Sequence, residues 1–293
     1  MFSIRVPRLT RPLLILLGGV LALAGLLFAS GQGGSAHAAT TRAVRANVAA
    51  DASRPKPTIV LVHGAWADSG SWNAVTALLQ RAGYTVYAPP NPLQGLVTDD
   101  ASIADFLHSI TGPVVLVGHS YGGEVITNAA GGNGNVKALV YDDAYLPAQG
   151  EDLMDLTTAG SCFYLPPAEQ STVFNPVTTP GAPSGTDVYV KQGVFPGCFA
   201  NGLPASVGAV LAATQRPLAT NALTDLSGVP AWKTIPSWDI IGMNDRVVTP
   251  AEQLFMAHRA GAHITEVNAP HLSMISDPGV VARVIIQAAR ATG

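Results

Sequence analysis

The chain has 293 residues, 48% of them hydrophobic and 12% charged, with a formal charge of −3. That much apolar material fills one large α/β domain or two modest ones and excludes an intrinsically disordered chain. The charge balance offers no cationic surface of the kind that nucleic acids require, so nucleic acid is not an expected partner.

Arg5, Arg8 and Arg11 precede an apolar run from Leu13 to Ala29, and small residues lead on to Ala36-His37-Ala38. This is the pattern of a secretory signal peptide over residues 1–38, cut after Ala38. The run is also near the lower length limit of a membrane anchor. Gly18, Gly19 and Gly25 interrupt it and a small-residue site follows, so no stable membrane anchoring is expected after cleavage. Without residues 1–38 the chain keeps 13 basic and 19 acidic residues, a formal charge of −6. The expected location is extracellular or in the cell envelope. Residues 39–56 are rich in Ala without a sustained period and read as a flexible leader. Cys162 and Cys198 are the two cysteines of the sequence. In an oxidising compartment they are expected to form one disulfide, the alternative being two separate buried thiols.

Thr58 to Val62 is an apolar strand that runs into His63-Gly64-Ala65-Trp66. Trp72, Val75, Leu78 and Leu79 then mark one face of a helix ending at Gly83. Tyr84 to Ala88 reads as a strand stopped by Pro89, Pro90 and Pro92. Asp99 and Asp100 open the next helical pattern, where acids suit the positive end of the dipole. Val114 to Val117 is apolar without a break, as a strand buried on both faces requires. It leads through Gly118-His119-Ser120-Tyr121-Gly122-Gly123 to a short helix from Glu124 to Ala130, and Val136 to Tyr141 is the next strand.

This alternation predicts an α/β fold with a mostly parallel sheet covered by helices on both faces. It lapses over residues 147–232, where prolines and glycines abound and apolar clusters are short. So long a stretch is an insertion between two parts of a core, residues 57–146 and 233–293. Entering after a strand, it is expected to lie as a cap or lid over the carboxyl ends of the sheet. The alternation resumes with a strand from Ser237 to Ile241, a helix opened by Pro250, a strand from Ala262 to Val267 and a final helix near Asp277 and Pro278.

The chemistry concentrates at strand ends. Ser120 lies between a strand and a helix, with Gly118 and Gly122 small enough to let the two pass closely. A serine hydroxyl needs a base to take its proton, and that base needs a third group to fix its tautomer. His271 follows the last strand and is the candidate base. Asp245 follows the strand before it and is the candidate acid, with Asp142 and Asp143 as competitors after the strand ending at Tyr141. Backbone N–H groups of Tyr121 and of the 63–66 loop would stabilise an oxyanion, with Ala65 the first choice in that loop and Trp66 the second. Asp142 and Asp143 as a metal pair have no nearby histidine, so no metal site is expected.

Val62-His63-Gly64-Ala65-Trp66, Gly118-His119-Ser120-Tyr121-Gly122-Gly123, Gly242-x-x-Asp245 and His271 together resemble the α/β-hydrolase superfamily. More narrowly they resemble the branch of plant methyl-ester esterases, hydroxynitrile lyases and bacterial small-ester hydrolases. The resemblance covers residues 57–293 and is weak in the insertion. It implies a cofactor-free esterase with Ser120, His271 and Asp245 as the triad. Hydroxynitrile lyases carry lysine after the catalytic histidine; Leu272 stands there in this chain and argues against lyase chemistry.

The expected function is that of a secreted serine carboxylesterase. Phe163, Tyr164, Leu165, Phe174, Phe195 and Phe199 in the insertion suggest a medium-sized apolar or aromatic ester as the small-molecule substrate. Lactone or amide hydrolysis and cofactor-free perhydrolysis on the same triad are alternatives, as is a small-molecule receptor with a slow or vestigial triad.

Overall fold

The computed structural model describes residues 55–292. The expected signal segment over residues 1–38, and the leader as far as residue 54, lie outside the described residues.

β1 (Thr58–Val62) is followed by α1 (Asn73–Arg81), β2 (Val86–Tyr87), α2 (Leu96–His108), β3 (Val114–His119), α3 (Tyr121–Ala129) and β4 (Val136–Asp142). Then come α4 (Leu153–Leu156), α5 (Gln170–Val173), β5 (Phe174–Thr178), β6 (Thr186–Val190), α6 (Ala205–Thr214) and β7 (Leu218–Ala219). The chain ends in β8 (Ser237–Gly242), α7 (Pro250–Ala260), β9 (His263–Val267), α8 (Ser273–Ser276) and α9 (Pro278–Thr292). Among the described residues no helix is long and apolar enough to cross a membrane.

Six strands form one sheet in the order β2-β1-β3-β4-β8-β9, and every neighbouring pair is parallel. Every residue of β3 and β8 is buried, which is why the sequence of β3 shows no alternation of apolar and polar positions. α9 covers the sheet with Val281, Val284, Ile285 and Ala288, a stripe at helical spacing. Trp72 is fully buried in the core, as its place on an apolar helix face implied.

The chain places β2 on one side of β1 and then β3 on the other. The loops leaving β1 and β3 therefore diverge at a topological switch point and leave a crevice outside the carboxyl ends of the strands. His63 to Trp66 leaves β1 there, and Ser120 leaves β3 beside it.

Four elements differ from their expected bounds for identifiable reasons. β2 is only two residues long, at the sheet edge and just ahead of Pro89 and Pro90. β3 runs on to His119 and α3 begins at Tyr121, so Ser120 alone separates strand from helix. Gly122 and Gly123 are helical despite their low propensity, because a Cβ on either would collide with the backbone of Val62 or Tyr145. α2 begins at Leu96 because Asp225 accepts the Leu96 N–H at 2.9 Å, a cap supplied from 129 residues away.

The segment between β4 and β8 holds a second sheet, antiparallel and ordered β5-β6-β7. No strand is expected there from the sequence. β5 carries Pro176, which an edge strand tolerates, and it is mostly exposed, so neither apolar content nor alternation announces it. Cys162 and Cys198 form a disulfide with Cα atoms 5.9 Å apart. The segment meets loops at the carboxyl ends of the main sheet: Trp66 Nε1 donates to Val188 O at 2.9 Å, and Cys162 N donates to Arg246 O at 2.7 Å.

Candidate active site

Ser120 has φ 53° and ψ −125°, a region that a residue other than glycine occupies only when its surroundings hold it there. Such a conformation costs about 1–3 kcal/mol. Its amide donates to Asp142 O at 3.3 Å, and its carbonyl accepts from Gly123 N at 2.9 Å and Tyr145 N at 3.2 Å. The crowding is absolute in places. A Cβ on Gly64 would lie 2.7 Å from Ser120 Cβ and one on Gly122 would lie 2.7 Å from Val62 O. The turn is thus over-determined by backbone contacts from β1, β4 and α3.

Asp245 and His271 come together from neighbouring strand ends. His271 Nδ1 and Asp245 Oδ2 are 2.8 Å apart, with both side chains fully buried. Asp245 Oδ1 accepts from the amides of Val247 at 2.7 Å and Val248 at 3.1 Å, and Oδ2 accepts also from Gln253 Nε2 at 2.9 Å. Burial pushes the Asp245 carboxyl upward, opposed by those donors. Burial pushes the His271 imidazole down to about 3, which favours the neutral ring. A neutral ring that donates from Nδ1 to Asp245 keeps its lone pair on Nε2. Nε2 is buried and without a hydrogen-bond partner among the described residues. The structure therefore joins Asp245 to His271 and leaves the Ser120–His271 hydrogen bond unmade.

His119 links the two halves. Its ring centroid is 4.7 Å from that of His271, and its Nε2 lies 2.9 Å from His271 O. A carbonyl can only accept, so Nε2 of His119 carries the proton and donates. Burial holds His119 well below the ordinary histidine range and therefore neutral. Through this bond to the backbone of His271, His119 shapes the turn rather than reaching the reacting atoms. His63 is also neutral, pushed by burial down to about 4, and its Nε2 accepts from Asn91 N at 3.0 Å.

Neither competing acid touches the imidazole. Asp142 Oδ1 accepts from Ser273 Oγ at 2.6 Å, and Asp143 accepts from the amides of Gly242 and Ser273 at 2.7 and 3.1 Å. Ala65 and Tyr121 are both buried and lie on the two loops that flank the switch point. Tyr121 is the first residue of α3, where a helix leaves N–H groups without an intrahelical acceptor. Trp66 adopts φ 54°, and its indole is packed by Phe163, Phe174 and Phe199 at 5.1, 5.8 and 5.9 Å between centroids. Phe199 also packs edge-on to His271 at 5.0 Å.

A cavity of about 110 Å³ opens beside this cluster, with Trp66, Tyr145, Phe163, Leu165 and Phe174 in its wall. Neither Ser120 nor His271 lines it; the links to them are Tyr145, whose amide holds Ser120 O, and Trp66, next to Ala65. The disulfide joins the residues preceding Phe163 and Phe199, and so fastens two sides of the Trp66 cluster to each other. Among the described residues no group of three or more His, Cys, Asp or Glu side chains could hold a metal ion.

Gln253 and Tyr145 escaped the sequence reading. Gln253 is a polar residue on the buried face of α7, where residue type alone suggests solvent, and Tyr145 acts through its backbone.

Known proteins are similar to this chain in part of its sequence or in fold. The chain is 39% identical over 110 residues to a carbendazim hydrolyzing esterase from Nocardioides sp. (strain SG-4G), covering 33% of this chain and 46% of that protein. The chain thus matches less than half the length of that relative. An extracellular alpha/beta-hydrolase from a Paenibacillus species superposes with a TM-score of 0.65 at 19% identity, over 79% of this chain and 98% of that one. A pyrethroid hydrolase from Sphingobium faniae JZ-2 superposes with a TM-score of 0.62 at 23% identity, over 80% and 98%. At those identities the likeness is one of fold. Residues 59–284 match the alpha/beta hydrolase family, and with its parallel sheet and its serine at the switch point the chain belongs to that family.

Proposed function

We propose that this chain is a serine carboxylesterase acting through an acyl-enzyme on small to medium apolar or aromatic esters. The observation that carries the proposal is the buried contact of 2.8 Å between His271 and Asp245, with Nε2 left unpartnered among the described residues at the rim where Ser120 is held in a strained turn. The partial likeness to an esterase at 39% identity supports the same reaction class.

In this mechanism Ser120 Oγ attacks the ester carbonyl while His271 Nε2 takes its proton. The Ser120–His271 bond closes as substrate binds, since such bonds are commonly long without it. The resulting oxyanion accepts from the amides of Ala65 and Tyr121. Collapse of the intermediate breaks the bond to the alcohol oxygen, which leaves with the proton from Nε2. Water then repeats the sequence on the acyl-serine, and the carboxylic acid departs. Asp245 fixes the imidazole tautomer and stabilises the imidazolium that forms at each step. The cavity beside Trp66 takes an aromatic or branched apolar group of the substrate, in keeping with its aromatic wall.

Export belongs to the same proposal. The segment over residues 1–38 acts as a signal, residues 147–232 act as the cap, and the Cys162–Cys198 disulfide suits an oxidising compartment. Amino-terminal sequencing of the protein recovered from culture medium would then begin near Ala39.

Ser120→Ala is the direct test. Hydrolysis of simple aryl esters should fall by at least 1,000-fold, on the order seen when a triad member is removed. Covalent labelling by a fluorophosphonate should disappear, and labelling retained at another residue would refute the mechanism.

A further inference from the structure

Asp143 does not act as the acid of the proposed triad, yet it ties together the segments on which that triad stands. Its backbone has φ 49°, which makes it, with Trp66, Leu93 and Ser120, one of four described residues other than glycine at positive φ. Its amide donates to Ile240 O at 2.9 Å, continuing the ladder between β4 and β8. Oδ1 accepts from Gly242 N at 2.7 Å, and Oδ2 accepts from Ser273 N at 3.1 Å. Gly242 ends β8 just ahead of Asp245, and Ser273 opens α8 just after His271. The chain leaving Asp143 reaches Tyr145, whose N–H holds Ser120 O at 3.2 Å.

The fit leaves no slack. A Cβ on Gly242 would lie 2.6 Å from Asp143 Oδ1 and 2.8 Å from Ala269 O. Asp143 is fully buried, so water is not at hand to satisfy either amide in its place. Asp142 reinforces one arm by taking the Ser273 hydroxyl at 2.6 Å.

We infer that Asp143 is a positioning residue for both the acid and the base, its carboxylate setting the gap between the β8 end that carries Asp245 and the loop that carries His271. Through that gap it aims His271 Nε2 at Ser120. The inference rests on the serine-hydrolase proposal above. A carboxylate suits the task because both its oxygens accept; asparagine would turn an NH₂ group toward the N–H of Gly242 or Ser273, donor against donor. A displacement of about 1 Å at the reacting groups costs on the order of 100-fold in rate.

The test is the rate and the endpoint of fluorophosphonate labelling, measured on the full chain alongside kcat and KM for an aryl ester. Asp143→Asn should reach the wild-type endpoint at least fivefold more slowly, with kcat lowered in step and KM within threefold. A rate less than fivefold slower would overturn the inference. So would a lowered endpoint with a wild-type rate in the chains that do label, because that would reduce Asp143 to a support of folding. If Asp143→Asn does not fold, Ser273→Pro against Ser273→Ala removes the amide arm from the other side, with both variants lacking the Ser273 hydroxyl. The proline variant should label at least fivefold more slowly than the alanine variant, and equal rates would overturn the inference. Wild-type protein that does not label at all refutes the serine-hydrolase proposal itself, an outcome distinct from any of these.

Discussion

Glu124 lies in the first turn of α3, close after Ser120, and is fully buried with neither carboxylate oxygen in a hydrogen bond among the described residues. Burial pushes its carboxyl well above the ordinary range, with Asp225, Asp152 and Asp100 adding repulsion. The folded chain therefore keeps a proton that the unfolded chain releases above its ordinary glutamate pKa. By linkage, the folded state loses stability as pH rises from there toward the raised pKa. Glu124→Gln removes that dependence while keeping the shape of the protonated side chain. Melting temperatures of the two proteins should be close near pH 4, with the glutamine variant increasingly the more stable toward pH 8; a constant difference would contradict the buried, protonated assignment. For His271 the sign is opposite. Its folded pKa is lowered to about 3, so the neutral base persists on the acid side of the ordinary histidine value. The acid limb of kcat/KM should accordingly have its midpoint below about 6.5.

The turn from β3 into α3 extends this to the level of whole elements. A Cβ on Gly118 would meet the carbonyl of Gly122, a backbone group of α3, so relief requires moving the helix that starts just after Ser120. Gly118→Ala should cost about 1–3 kcal/mol by overpacking. It should also lower fluorophosphonate labelling by more than the folded fraction explains; denaturant titration beside the labelling rate separates the two effects. This turn was legible in the sequence because its signals are local, although contacts from other strands hold it: four apolar residues from Val114, small residues around Ser120, and a helix directly after. Strand ends likewise pointed to Asp245 and His271. The contacts of Asp143 and Gln253 were not legible: Gly242 and Ser273 reach Asp143 from far along the chain, and Gln253, though only eight residues from Asp245, is a residue type that suggests solvent. Distance along the chain also hid the true start of α2, capped by Asp225, and the small sheet escaped because β5 is mostly exposed and carries Pro176 while β7 has only two residues.

Across the molecule, the disulfide closes a loop of 36 residues between the two sides of the aromatic cluster. A loop of that length corresponds to about 4 kcal/mol of lost unfolded-state entropy. Cys162→Ser with Cys198→Ser should therefore unfold at lower urea, by about 2–4 kcal/mol on extrapolation. It should also lose more activity on bulky aryl esters than on acetates, since Phe163 and Phe199 would no longer be fixed relative to Trp66; equal losses on both would separate the bridge from substrate choice.

Trp66 belongs to two worlds at once. Its backbone continues from Ala65, while its indole is pinned to Val188 and wedged among three phenylalanines. A guest that fits the cavity badly must push on that indole, and the push is transmitted to the strip of chain expected to greet the nascent negative charge. Poor guests would then be held nearly as well as good ones but converted slowly, so that discrimination is written in turnover and not in retention.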